Sequence, residues 1–250
     1  VIRVGVLGAA GRMGRQVCDA IATAEDLELA AAIDPDHAGT EVAGVAVGAS
    51  LEAISTERAA VAVDFTLPTS VMANARWCLS HGVHAVIGTT GMTAADLEEL
   101  GELASSSGTN CIVAPNFALG AALLMRFAAE AARFFEAAEI IELHHDGKVD
   151  APSGTAIATA RAIGAARRGS PSAPAAADAR GAEIDGVQVH AVRLPGLVAH
   201  EEVLFGGPGQ VLTIRHDAMD RAAFMPGVLL AVRAVADRPG LTVGLDALLD

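Results

Sequence analysis

Between residues 142 and 156 the chain reads E-L-H-H-D-G-K-V-D-A-P-S-G-T-A. His144 and His145 carry imidazoles, whose unperturbed pKa lies nearest neutrality, so they suit proton transfer or contact with an anion. Lys148 adds three donors and a positive charge. Ser153, Gly154 and Thr155 stand where a helix N-terminus would aim backbone N–H groups at an anion. Pro152 fits just before or within that first turn, where its missing N–H costs nothing. Together these residues describe a site for a small anionic molecule that gains or loses a proton. Two other accounts compete. Adjacent side chains on a strand face opposite sides, so a histidine pair can be purely structural. A zinc pair is also conceivable, but adjacent histidines lack the i, i+4 spacing of a helical pair and no cysteine lies near them.

Such a site needs a strand to deliver the histidines and a helix to follow. The sequence predicts a strand over Glu139 to His144 and a helix from Ser153 to about Arg168. A long apolar helix over Ala118 to Phe135 leads into this region. Gly169 to Gly181, rich in Pro, Ala and Ser, reads as a surface loop. Val187 to Leu194, Val198 to Phe205 and Gln210 to Arg215 alternate between Pro-Gly or Gly-Pro turns, which suggests an antiparallel sheet.

The first half has a different rhythm. An apolar run over Val1 to Leu7 precedes Gly8-Ala9-Ala10-Gly11-Arg12-Met13-Gly14 and a helical pattern to about Thr23. Strand, glycine turn, helix is the context of a dinucleotide fingerprint, here spaced G-x-x-G-x-x-G. An ordinary βα turn would carry the same glycines. A second run, Leu27 to Ile33, ends at Asp34, where an acidic residue would hold the adenosine ribose hydroxyls. Asp34 is equally at home as a turn residue before Pro35. Its carboxylate would favour NADH by repelling the 2′-phosphate of NADPH, and Arg12 would partly compensate. His37 to Ala49 reads as a loop. Further strands are predicted over Ala60 to Phe65, Val83 to Ile87 and Cys111 to Ala114. Thr69 or Ser70 would cap a helix reaching Ser80, and another helix spans about Thr93 to Ser105. Small residues at Gly88, Thr89 and Thr90 allow close approach of a ligand at a strand's carboxyl end. A helix from about Asp220 to Ala236 and a strand over Leu241 to Val243 close the chain. Strands alternating with helices imply a Rossmann-like, doubly wound parallel sheet, joined to a smaller α+β domain with a mixed or antiparallel open sheet.

Composition limits the partners. At 250 residues the chain can build one large or two small cores, and 52% apolar content argues against disorder. A net charge of −13 argues against nucleic acid, and it means that an anion site must be locally positive. Cys18, Cys78 and Cys111 are odd in number, widely spaced and set in apolar stretches, so buried thiols are expected. No signal peptide or uninterrupted membrane-length apolar run is read, so a cytoplasmic location is expected.

The run H-H-x-x-K-x-D-A-P-S-G-T-A is complete at His144, His145, Lys148, Asp150, Ala151, Pro152, Ser153, Gly154, Thr155 and Ala156. It resembles the signature of the dihydrodipicolinate reductase family, and the likeness covers nearly the whole chain. The resemblance implies reduction of 4-hydroxy-tetrahydrodipicolinate, by way of dihydrodipicolinate, to tetrahydrodipicolinate on the diaminopimelate route to lysine, with NADH or NADPH as cofactor. It implies His144 as proton donor and acceptor, Lys148 as proton donor, and His145, Ser153, Gly154 and Thr155 as substrate-binding. It places the cofactor on Gly8, Ala9, Ala10, Gly11, Arg12, Met13, Asp34, Gly88, Thr89, Thr90, Ala114, Pro115, Asn116 and Phe117, with no metal. It further implies a dinucleotide-binding domain over 1–116 and 220–250, a substrate-binding and oligomerisation domain over 117–219, and a homotetramer formed through the latter's sheet. Arg221 would approach a substrate carboxylate, or make a surface salt bridge. Other two-domain NAD(P)-dependent enzymes, such as sugar or homoserine dehydrogenases, share the glycine turn but not the H-H-x-x-K and S-G-T block. An NAD-responsive regulator would need a DNA-binding segment, and no basic helix-turn-helix is found.

Overall fold

The computed structural model describes residues 1–167 and 180–249. They form two compact units, Val1–Phe117 with Phe224–Asp250, and Ala118–Ala223. The first begins with β1 (Ile2–Leu7), α1 (Arg12–Thr23) and β2 (Leu27–Ile33). The stretch expected as a loop then folds into a hairpin, β3 (Glu41–Val42) and β4 (Val45–Gly48). Ala43 and Gly44 take φ of 49° and 79°, the paired positive values that a tight two-residue hairpin turn requires. Strands this short carry no readable alternation, and alanine is an unusual residue for such a turn. The short α2 (Glu52–Thr56) was likewise not anticipated.

Next come β5 (Val61–Asp64), α3 (Val71–Ser80), β6 (His84–Ile87), α4 (Ala94–Ser107) and β7 (Cys111–Val113). Ser70 occupies the N-cap of α3 but makes no side-chain cap bond. Its hydroxyl donates instead to the Leu67 carbonyl, 3.2 Å away. α4 has a full capping box, in which Thr93 and Asp96 satisfy each other's backbone N–H groups.

The second unit holds α5 (Leu119–Ala131), β8 (Ala137–His144), α6 (Gly154–Ala166), β9 (Ala182–Ile184), β10 (Val187–Arg193), β11 (Ala199–Gly207) and β12 (Gln210–Ala218). The Pro- and Ala-rich loop expected from Gly169 lies, up to residue 179, outside the described residues. The sheet order is β12-β11-β8-β10-β9. The purely antiparallel arrangement suggested by the turns is corrected here. β10 does not pair with β11; β8 runs between them, parallel to β10 and antiparallel to β11. Alternation says which face of a strand is buried but not which strand is its neighbour. One face packs Ile140, Val189, Val203 and Phe205 against Leu124 and Ala128 of α5 and Ala156, Ala160 and Ile163 of α6. Contact of small alanines with branched residues brings these helices close to the sheet without aromatic bulk.

The helix predicted from Asp220 is interrupted. A 3-10 turn over Arg221–Phe224 precedes α7 (Met225–Ala234), and another over Val235–Asp237 follows it. The last strand, β13 (Leu241–Val243), pairs parallel with β7. Asn110 fixes this return, donating to the carbonyls of Val235 and Ala236 at 2.9 Å and accepting from Gly240 N–H at 3.1 Å. The first unit's sheet thus has the order β13-β7-β6-β5-β1-β2-β4-β3. Its central strands are buried on both faces, as parallel strands covered by helices must be. The strand order reverses beside β1, and in open α/β sheets ligands bind at the carboxyl ends flanking such a point.

All three cysteines are buried, and burial pushes their thiols up to about 12, so they serve as packing groups. Among the described residues no helix is long and apolar enough to cross a membrane, and no cluster of His, Cys, Asp and Glu could hold a metal ion.

Candidate active site

At the carboxyl end of β1, Gly8 turns the chain with φ of +75°, and a Cβ there would lie 2.6 Å from the Phe65 carbonyl. A Cβ at Gly14 would collide with the Gly8 carbonyl. Gly8 and Gly14 are therefore required by backbone contact within this unit. α1 starts after Gly11 with no side-chain cap, so its first-turn N–H groups have no side-chain acceptor and suit an anion. Asp34, 9% exposed, accepts from Ala10 N–H at 3.2 Å and pairs with His37 Nδ1 at 3.0 Å. Its carboxylate is fixed against the glycine turn, while Arg12 is exposed.

Beside this turn lies a group that the sequence did not single out. Asp64, 3% exposed at the end of β5, accepts from Thr66 N–H at 2.9 Å, Thr66 Oγ1 at 2.7 Å, Thr89 Oγ1 at 2.7 Å and Asn74 Nδ2 at 2.8 Å. A buried carboxylate with four donors holds two strand-end loops in one shape. Thr89 is thus engaged by Asp64, whereas Thr90 is exposed. A Cβ at Gly88 would strike the Phe65 ring. That ring packs on Phe117, with centroids 5.8 Å apart, and Phe117 is only 2% exposed. Ala114 is buried, Pro115 exposed and Asn116 half-buried.

In the second unit the organising residue is Glu142, fully buried on β8. It receives both terminal nitrogens of Arg193, Nη1 at 2.8 Å and Nη2 at 2.7 Å. It also accepts from Ser153 N–H at 3.1 Å and lies 2.5 Å from His144 Nδ1. Arg193 Nη2 donates as well to the Asp150 carbonyl at 2.6 Å. One carboxylate therefore ties together the imidazole, the start of α6 and, through Arg193, the connecting loop. Burial alone would raise its pKa, but the hydrogen bonds from His144 and Arg193 outweigh that and hold the carboxyl at about 2. The acceptor at Nδ1 selects the tautomer that places the proton there, leaving Nε2 to exchange protons with a ligand.

Ser153 caps α6, its hydroxyl accepting from Ala156 N–H at 3.2 Å, and it is 2% exposed. A Cβ added at Gly154 meets nothing within 4 Å. Lys148 gives Nζ to both oxygens of Asp150 at 2.8 Å; this hydrogen bond is the chief cause holding Asp150 below the usual carboxylate range. Any anionic ligand that engages Lys148 competes with Asp150. His145 is exposed just past the strand, and Arg221 is exposed on its 3-10 turn. The unit thus carries Glu142, His144, Lys148 and the α6 N-terminus within the 15 residues 142–156, with Arg193 of β10 bonded to Glu142.

The chain matches the family model described as "Dihydrodipicolinate reductase, N-terminus" over residues 2–117 and "Dihydrodipicolinate reductase, C-terminus" over 120–249. The chain belongs to the dihydrodipicolinate reductase family. A relative from Nocardia farcinica, named 4-hydroxy-tetrahydrodipicolinate reductase, is 54% identical over 257 residues, covering 100% of this chain and 99% of that one. A Beutenbergia cavernae protein of the same name is 55% identical over 260 residues, with the same coverage. Among solved structures, a dipicolinate-bound dihydrodipicolinate reductase from a Paenisporosarcina species superposes with a TM-score of 0.87 at 41% identity, over the full length of both chains. An amine dehydrogenase from Mycobacterium smegmatis, at 17% identity and a TM-score of 0.67, shares the fold alone.

Family membership gives the two polar centres different readings. The glycine turn with the uncapped α1 and the fixed Asp34 carboxylate has the donors and acceptor that a dinucleotide needs. The motif centred on Glu142 has the basic groups and N–H donors that a dicarboxylate needs. Glu142 could have been found in the sequence: it sits two residues before His144, on the same strand face. Arg193, 51 residues from Glu142 in sequence, left no such signal, and neither did Asn74 for Asp64.

Proposed function

We propose that this member of the dihydrodipicolinate reductase family reduces 4-hydroxy-tetrahydrodipicolinate, dehydrated to dihydrodipicolinate, to tetrahydrodipicolinate, with NADH favoured over NADPH. The observation that carries the reading is the hold of Glu142 and Arg193 on His144 and on the first turn of α6, within a complete family motif. In the first unit, Gly8, Ala9, Ala10, Gly11, Arg12 and Met13 hold the pyrophosphate and Asp34 the adenosine ribose. Gly88 to Thr90 and Ala114 to Phe117 line the nicotinamide end. A bound NAD(P)H supplies the hydride, and the protein supplies position and charge.

The chain's own groups do the rest. Gly154 and Thr155 take a substrate carboxylate on backbone N–H groups and the threonine hydroxyl, with Ser153 shaping the turn. His145 binds the substrate. Lys148 leaves Asp150 and donates a proton to the ring nitrogen side of the reduced bond. His144 exchanges a proton at Nε2. The balance is one hydride and one proton added per double bond reduced, with the hydroxyl already lost as water. The family resemblance also implies a homotetramer through the sheet of the second unit, whose outer strand β12 exposes Val211 and Leu212, and work in the cytoplasm.

Because a Cβ at Gly154 meets nothing, Gly154→Ala should fold normally and gain up to about 1 kcal/mol in thermal denaturation. It should raise the substrate KM about tenfold or more, because the methyl group stands where the carboxylate would sit. Asp34→Ser removes the charge that disfavours a 2′-phosphate. Calorimetric Kd values should show the NADH-over-NADPH preference falling about tenfold. The test of the function itself is cofactor oxidation with substrate made in situ from pyruvate and aspartate semialdehyde by the preceding synthase. NADH oxidation that requires the synthase product supports the reading; NADH binding without oxidation rejects it.

A further inference from the structure

Glu201 on β11 is 5% exposed, and its Oε1 has no hydrogen-bond partner among the described residues. It stands directly opposite Glu142 on β8 and His216 on β12. Directly opposed side chains share a sheet face with Cβ atoms ~5 Å apart, so these three form a row. His144, opposite Ala199, is the diagonal neighbour of Glu201, ~7 Å away by the same geometry. From α6 the Thr159 hydroxyl reaches the Glu201 carboxyl. From β10, Arg193 spends both terminal nitrogens on Glu142. From β12, the His216 ring lies so close to Gly120 of α5 that a Cβ there would strike it. Burial favours the neutral form of His216, Asp217 opposes this and His200 adds to it.

Two neighbouring buried carboxyls cannot both be ionised without a large penalty when the one guanidinium, that of Arg193, lies on the far side of Glu142. Arg193 is committed to Glu142, so the proton resides on Glu201. Burial pushes Glu201 up to about 7, the Thr159 hydrogen bond opposes this and the Glu142 charge adds to it. We propose that Glu201 is a positioning residue for the reduction, its neutral carboxyl sparing the Glu142–His144 hydrogen bond the charge of a second buried carboxylate in the same row. Once Glu201 is ionised, a second buried carboxylate without a counter-ion repels Glu142 across the strand pair and loosens its hold on His144.

The inference rests on the reductase reading and is tested on the full-length enzyme with pH profiles of kcat/KM for the wild type and Glu201→Gln. Glutamine mimics the neutral acid. Between pH 6 and 8.5 the wild type should lose about tenfold more of its kcat/KM than the variant. Lys148 is present in both, so its own titration cancels from the comparison. Superimposable profiles would overturn the proposal and leave the reductase reading intact; no turnover in the wild type at any pH would reject both. Should the variant not fold, infrared spectra of the wild type give the second readout. The protonated-carboxyl band should vanish over the same pH range as activity, and loss of the band with activity unchanged would equally overturn the proposal.

Discussion

Glu142→Gln is expected to lower kcat by about 10²-fold or more and to destabilise the second unit by roughly 3 kcal/mol. The amide keeps the shape of the side chain but not its charge. Arg193, whose side chain is only 18% exposed, is left without its counter-ion, and breaking one half of such a pair costs far more than the pair contributed. The imidazole of His144 then faces an amide that can donate as well as accept, so its tautomer is no longer fixed. Stopped-flow turnover and chemical denaturation measure the two effects. The same carboxylate makes a signed prediction about acid. Its folded pKa of about 2 lies below the ordinary 4.5. Its contribution is therefore fully present above pH 4.5 and is lost as pH falls from there toward 2, a change of about 3 kcal/mol. Denaturation midpoints should fall over that range in the wild type and fall less in Glu142→Gln. Glu201 works in the opposite sense. Raised to about 7, it stabilises below pH 4.5, and that contribution is lost as pH rises toward 7.

Lys148→Ala is expected to lower kcat by ~10²–10⁴ while leaving NADH affinity unchanged, because in the proposed mechanism the lysine gives a proton and lies outside the dinucleotide site. His144→Asn should fall in the same range. Lys148 is held by Asp150, whose side chain is 59% exposed, so the pair contributes little to stability and the alanine variant should melt near the wild type. A Lys148→Ala enzyme with wild-type turnover would remove the lysine from the chemistry. A variant with weakened NADH binding would place it at the wrong ligand.

The parts of this structure that follow from local pattern were legible in the sequence. β1, the glycine turn, α1 and β2 form one continuous signal, since buried parallel strands are apolar throughout and the turn needs its glycines. The span from His144 to Thr155 was legible because its chemistry is sequential. What depended on pairing was not. β8 inserts between β10 and β11 although the intervening turn reads as a hairpin, because strand neighbours are chosen by the tertiary fold. Arg193 reaches Glu142 only through that parallel pairing, and Glu201 faces Glu142 only through the antiparallel one. The β3–β4 hairpin was hidden by its brevity and by alanine in a positive-φ turn position.

A reductase of this family member's proposed kind delivers a hydride to a ring carbon of its dicarboxylate substrate. The direct measurement uses NADH deuterated at the transferring position, with substrate generated by the synthase, and mass spectrometry of the product. The tetrahydrodipicolinate formed should carry a single deuterium. Substrate and NADH both bound, with the deuterium remaining on the cofactor, would contradict the proposed reduction.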